Sequence, residues 1–141
     1  MNITASAISL NVANAARSAA FLREHFGFDT EMEAEGFVSL QRPDVGFNVI
    51  FLDVGLSTFK PASHAGPAGD GLLLAFVVDD IDTEWLRLQQ AGVSIATPIE
   101  TEPWGERYFQ VLDPNGVIIQ LVQWVDQNED AGSSSSVADH S

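Results

Sequence analysis

The chain has no cysteine, which excludes disulfides, thiolate metal sites and a Cys nucleophile. Basic residues are scarce: six Lys and Arg stand against twenty Asp and Glu, for a formal net charge of −14. Residues 126–141 hold Asp126, Glu129, Asp130 and Asp139 and no Lys or Arg, so taking away those four charges leaves −10. This balance argues against nucleic acid as a partner, because phosphates are met by Lys and Arg. It suits a cationic or neutral ligand, or serves solubility alone. No apolar run approaches the roughly 18 to 20 residues of a membrane span, so no membrane association is expected. The first residues carry no basic segment followed by an apolar one, so no secretory signal is expected and a cytoplasmic setting fits. A length of 141 residues is enough for one domain with its own core.

The most informative stretch is 104–124. Two apolar runs flank Asp113-Pro114-Asn115-Gly116. Asn-Gly between such runs predicts a hairpin closed by a type I′ turn, with positive φ at both central residues. Residues 108–112 and 117–124 are then paired antiparallel strands. The second strand is apolar almost throughout, so both of its faces should be covered. Gln120 is the polar exception, and a buried amide needs partners or a wet cavity.

Residues 3–12 read as a strand. Asn14 offers an N-cap, Ala15, Ala19, Leu22 and Phe26 repeat at helical spacing, and Gly27 ends the helix. Residues 28–33, 37–41 and 46–53 read as strands. Residues 54–71, rich in Gly, Pro, Ala and Ser, read as a linker. The pattern then starts again. A strand over 72–78 precedes a helix capped by Asp80, with Ile81, Trp85 and Leu88 on one face and Gly92 at its close. A short strand over 93–96 and the hairpin follow. Val12 matches Val78, Gly27 matches Gly92, Pro43 matches Pro114 and Gly46 matches Gly116. The expected fold is therefore α+β, two βαβββ modules over about 3–53 and 72–125 within a single domain, 1–125. The acidic, Ser-rich tail, 126–141, is expected to be flexible.

Gly27-Phe28 after the first helix, Val77-Val78-Asp79-Asp80-Ile81-Asp82 into the second, and Asp113-Pro114-Asn115-Gly116 before Ile119-Gln120-Leu121 resemble the vicinal oxygen chelate superfamily. That group holds glyoxalase I, extradiol dioxygenases, and bleomycin and mitomycin resistance proteins. Pro103-Trp104-Gly105-Glu106-Arg107-Tyr108 is similar in particular to the antibiotic-binding resistance branch. The resemblance implies a cupped mixed sheet and a homodimer. In the metalloenzymes of the group, four strands each supply one ligand. The resemblance carries those positions onto Ala7, Ile50 or Phe51, Leu73 and Gln120. The internal repeat favours Ile50, and the family's Ile-Glu-Leu pattern favours Phe51. Only Gln120 has a side-chain donor, so no metal or other cofactor is expected, because Zn, Ni or Fe sites need imidazole or carboxylate.

Other candidates are weighed on local sequence. His25 suits the negative end of its helix, and His64 and His140 have no second His at ligand spacing. Trp104, between Pro103 and Gly105, either packs as a lid on the core or stacks on a planar ligand. Glu100, Glu102 and Glu106 form a solvated acidic loop or meet a ligand cation beside the ring. Arg107 pairs with a carboxylate or contacts ligand oxygens. Trp85 belongs to the helix core, and Trp124 lines the cavity or a dimer contact. The expected ligand-binding set is Trp104, Glu106, Arg107, Gln120 and Phe51, with no catalytic residue. The expected function is metal-free binding of a hydrophobic or planar small molecule, such as an antibiotic. The alternatives are a metal-dependent lyase, isomerase or dioxygenase of the same superfamily with its ligands elsewhere, and a protein-interaction module.

Overall fold

The computed structural model describes residues 1–125. The tail expected to be flexible, 126–141, lies outside the described residues. The chain divides into one unit spanning Met1–Gly71 and a second beginning at Leu72. Each is a strand, a helix and three strands, giving two four-stranded mixed sheets in an α+β architecture.

The first unit runs β1 (Ala7–Val12), α1 (Ala15–Phe26), β2 (Asp29–Ala34), β3 (Phe37–Gln41) and β4 (Asn48–Asp53). Its sheet order is β1-β4-β3-β2, with β1 parallel to β4 and the other pairs antiparallel. β1 begins at Ala7, not at residue 3, because its partner starts at Asn48 and Ala7 is the residue opposite. Two side chains hold the start of α1. Asn14 accepts from the Arg17 N–H at 3.1 Å, and Asp53 Oδ1 accepts from the Ala15 N–H at 2.7 Å. Both supply acceptors at the helix start, where the first N–H groups have no carbonyl four residues back within the helix. α1 lays Ala19, Leu22 and Phe26 over Leu10, Leu40, Val49 and Phe51, all buried. Full burial of each such Leu or Phe contributes roughly 1.5–3 kcal/mol. The segment after β4 is anchored to this unit: Asn11 Nδ2 donates to the carbonyls of His64 at 3.0 Å and Gly66 at 2.9 Å.

The second unit runs β5 (Leu73–Val77), α2 (Ile81–Gln90), β6 (Ser94–Thr101), β7 (Glu106–Leu112) and β8 (Ile118–Trp124). Its sheet order is β5-β8-β7-β6, with β5 parallel to β8. Asp80 caps α2 by accepting from the Thr83 N–H at 3.2 Å, and Gln123 Oε1 takes the Ile81 N–H at 2.9 Å. Gln123 thus does for α2 what Asp53 does for α1. Ile81 and Leu88 are wholly buried, and Trp85 meets Phe109 edge-on at 5.0 Å between ring centroids. Trp85 is helix core, as its spacing suggests.

Two expectations need correction. The Asn115-Gly116 turn is not type I′: among the described residues no non-glycine has positive φ, and Gly116 alone in this turn is left-handed, at φ 84. Pro114 explains this. Its ring locks φ near −65° and makes it the first central residue. The Gly116 N–H returns to the Asp113 carbonyl at 3.0 Å, and Asp113 N–H bonds the Val117 carbonyl at 3.0 Å. The turn is therefore Asp113 to Gly116 with the glycine as bulge. Second, β6 extends to Thr101 instead of stopping at 96, with register breaks between Ile95 and Thr97 and between Thr97 and Glu100. An edge strand with an irregular ladder can carry Pro98, which has no N–H to donate. Of the two alternatives at β4, Ile50 and Phe51, the pairing register matches Ile50. Ile50 is opposite Ser9 as Gln120 is opposite Ala75, so Ile50 takes the place of Gln120 in the repeat. Phe51, on the opposite parity, is 1% exposed beneath α1.

Candidate functional site

Alternation along the second sheet sends Leu74, Phe109, Val111, Ile119 and Leu121 toward α2, where they are buried. The other parity places Glu106, Tyr108 and Gln110 of β7 beside Gln120 and Trp124 of β8 on the helix-free face. Gln120 reads as an anomaly in an apolar strand for this reason, since it is on the side that α2 does not cover.

Trp104 sits at the tip of the β6–β7 hairpin. The Gly105 N–H returns to the Glu102 carbonyl at 2.9 Å, and the Glu102 N–H bonds the Glu106 carbonyl at 2.8 Å. This is the same bonding as at Asp113 to Val117, built again on an acid-Pro-x-Gly sequence. Gly105 has φ 95, a conformation strained for any L side chain. A tight four-residue turn, pinned further by the Val125 N–H on the Gly105 carbonyl at 2.9 Å, therefore carries the indole. Trp104 is 53% exposed. It is not a lid buried on the core.

A chain of side-chain hydrogen bonds links that tip to the sheet. Trp104 Nε1 donates to Glu106 Oε1 at 3.1 Å. Gln120 Nε2 donates to Glu106 Oε2 at 3.3 Å. Gln110 Nε2 donates to Gln120 Oε1 at 2.7 Å, and Thr97 Oγ1 donates to Gln110 Oε1 at 2.7 Å. Beside this chain, the Tyr108 hydroxyl donates to Glu102 Oε2 at 2.6 Å and lies 3.2 Å from Glu100 Oε1. The Glu102 hydrogen bond, reinforced by desolvation and by Glu100, raises the phenol well above its ordinary value near 10. A phenolate between two carboxylates would bring like charges together.

Three of the expected residues, Trp104, Glu106 and Gln120, are thus joined into one constellation. Arg107 and Phe51 are not part of it. Arg107 has the α2 parity, and its guanidinium grips Asp82 through Nη2 at 2.6 Å and Nε at 3.3 Å, with Thr101 Oγ1 at 2.8 Å from Nη1. That pair lowers the Asp82 carboxyl and raises Arg107 from their usual values. Arg87 is paired with Glu84 at 2.7 Å. These are the only Lys or Arg within 72–125, so no arginine or lysine of the described part of this unit neutralises Glu100, Glu102 or Glu106. Phe51 is core of the first unit. Gln110, Thr97 and Tyr108 are the members that the sequence reading missed. A signal was there, because the hairpin turn sets Gln110 directly opposite Gln120.

A metal of the kind used by vicinal oxygen chelate enzymes does not fit these residues. Ala7, Ile50 and Leu73 have the same helix-free parity as Gln120 in their respective sheets, yet none offers a lone pair. Among the described residues no group of three or more His, Cys, Asp or Glu is placed to hold a metal ion. Nor is any helix of the described residues long and apolar enough to cross a membrane.

The family model described as Glyoxalase/Bleomycin resistance protein/Dioxygenase superfamily matches residues 4–121. An uncharacterised protein of Mycobacterium bovis is 30% identical over 102 residues, a match covering 67% of this chain and 65% of that protein. The chain thus spans less than two thirds of that relative's length. Among solved structures, a glyoxalase/bleomycin resistance protein/dioxygenase from Nocardioides superposes with a TM-score of 0.72 at 21% identity, covering 97% of this chain and 89% of that one. TnmS3, an antibiotic binding protein from Streptomyces sp. CB03234, superposes with a TM-score of 0.68 at 25% identity, covering 89% and 99%.

Proposed function

The chain belongs to the Glyoxalase/Bleomycin resistance protein/Dioxygenase superfamily, and on that premise we propose that it binds, without transforming, a hydrophobic and partly planar small molecule on the helix-free face of its second sheet. The observation that carries this reading is the placement of Trp104. A half-exposed indole is held on a rigid turn and shares the Glu106 carboxylate with Gln120. An aromatic plane positioned in advance loses little entropy when a ligand stacks on it. The acids Glu100, Glu102 and Glu106, which no Lys or Arg of the described part of this unit pairs, favour a neutral or cationic ligand over an anion. The likeness to an antibiotic binding protein supports an antibiotic as one such ligand.

Titration with bleomycin and a panel of planar aromatic antibiotics, read by quenching of tryptophan fluorescence, tests the reading. Saturable quenching that disappears in Trp104→Ala is the expected result. Quenching that persists unchanged in that variant would place the ligand elsewhere. Stoichiometric Zn, Ni, Mn or Fe retained through dialysis would favour a metalloenzyme instead.

A further inference from the structure

We propose that Asn115-Gly116 is a deamidation site that the folded turn keeps closed, so that conversion of Asn115 to aspartate or isoaspartate marks chains whose β7–β8 hairpin has opened. The proposal is independent of any ligand.

Asn115 is the only asparagine followed by glycine in the chain. A glycine has no Cβ to shield its own backbone nitrogen. That nitrogen can attack Cγ of the preceding asparagine side chain. A C–N bond forms, the N–H proton passes to water, and the side-chain nitrogen takes up a proton and leaves as ammonia. The product is a cyclic succinimide. Water then opens one of its two carbonyls, giving either aspartate or isoaspartate. Either product carries a new negative charge. Isoaspartate also runs the main chain through the former side chain and so lengthens it by a carbon.

The turn withholds each requirement of this reaction. The Gly116 N–H is already donated to the Asp113 carbonyl at 3.0 Å, and that bond must break before the nitrogen attacks. Ring closure also needs the Gly116 nitrogen to eclipse the Asn115 Cβ about the Cα–C bond. Asn115 follows Pro114 and has no positive φ, so it is the second central residue of a type I turn. Its ψ near 0° holds those two atoms apart. Rotating it is opposed by Asp113, whose buried side chain accepts through Oδ1 from the Asn115 and Val117 N–H groups, both at 2.8 Å. The nucleophile is therefore released only when the turn opens locally. The same turn sets Gln110 opposite Gln120. An isoaspartate formed in an open hairpin alters the spacing on which that register rests.

The test holds the full chain at mildly alkaline pH, native and in guanidinium chloride. Peptide mass spectrometry follows Asn115, and isoaspartate is counted with isoaspartyl methyltransferase and S-adenosylmethionine. The unfolded chain should deamidate at Asn115 at least about tenfold faster than the native one, the scale of losing two or more hydrogen bonds. Equal rates overturn the proposal, and so does an unfolded chain that leaves Asn115 intact. Asp113→Asn keeps the Oδ1 acceptor and should stay close to the wild type. Asp113→Ala loses both Oδ1 bonds and should deamidate about threefold faster or more while its circular dichroism remains native. A folded Asp113→Ala that deamidates at the wild-type rate overturns the role of this clamp.

Amide exchange in the wild type needs no variant. The Asn115, Gly116 and Val117 N–H groups should exchange at least about tenfold more slowly than in an unstructured peptide of the same sequence. Exchange at the rate of the peptide overturns the proposal.

Discussion

Gln110 and Gln120 are register partners across the β7–β8 pair, and the amide of the first donates to the carbonyl oxygen of the second at 2.7 Å. Two polar side chains facing each other across β7 and β8 hold each other in one orientation. Thr97 on one side and Glu106 on the other extend the contact across three strands to the hairpin tip. On the proposed binding reading, a ligand on this face would meet a preformed row of groups, not side chains that must first be ordered.

Trp104→Ala should cost roughly 1 to 3 kcal/mol of binding, the scale of an aromatic contact with its buried area. The melting temperature should hardly move, since the indole is half exposed and its turn is closed by Pro103, Gly105 and backbone bonds. Calorimetric affinity beside thermal melting decides. A variant that melts several degrees lower yet binds normally would show the ring to be core.

Tyr108 is the only tyrosine in the chain, so tyrosinate absorbance at 295 nm reports on it alone. Its hydrogen bond to Glu102 raises the folded-state value above the ordinary one near 10. The sign follows: the folded state holds this proton more tightly than the unfolded chain. The associated stability is complete below pH about 10, the unfolded value, and is lost as pH rises through the folded one. Tyrosinate should therefore be absent from the native protein at pH 10.5 and present in the urea-unfolded protein. Glu102→Gln should bring the native onset down toward 10, and a native onset already at 10 would contradict the contact.

Asp53 and Gln123 hold the first N–H of α1 and of α2 from the last strand of each unit. Asp53→Ala should destabilise by about 0.5–2 kcal/mol, the range for losing a helix cap, with Asp53→Asn recovering most of it. Gln123→Ala should behave alike for α2. Thermal melts of the four proteins test this. A melt of Asp53→Ala that overlays the wild type would mean water serves that N–H equally well.

The helix-free parity of β5 leaves Leu73 and Val77 exposed at 43% and 56%, and Met32 on β2 at 57%. Apolar surface of this kind favours association, and we expect a homodimer. Light scattering at micromolar concentration should give about twice 15.2 kDa, and a mass near the single chain would refute it.

Both helices were legible because their ends are written locally. Asn14 and Asp80 accept from the N–H three residues on, and Gly27 turns left-handed at φ 70. The hairpin at Asp113 was legible too, although its turn type was not. Asn-Gly suggested one geometry, and Pro114, one residue earlier, imposed another.

Alternation by itself states that Ile50 and Phe51 point oppositely, and that Glu106 and Arg107 do. It does not say which of each pair meets the helix. Where both neighbours are apolar, or both charged, nothing local separates them. The docking of α1 on β3 and β4 put Phe51 in the core, and the reach of Arg107 to Asp82 set it on the α2 side of its sheet. The sequence alone determined the order of the elements, the repeat, the acidic character and the Trp held in a bend between Pro103 and Gly105, because each is read from residue types and their spacing along the chain. Only the tertiary structure decided which residues share Glu106, because that required β6, β7 and β8 to lie side by side in one register.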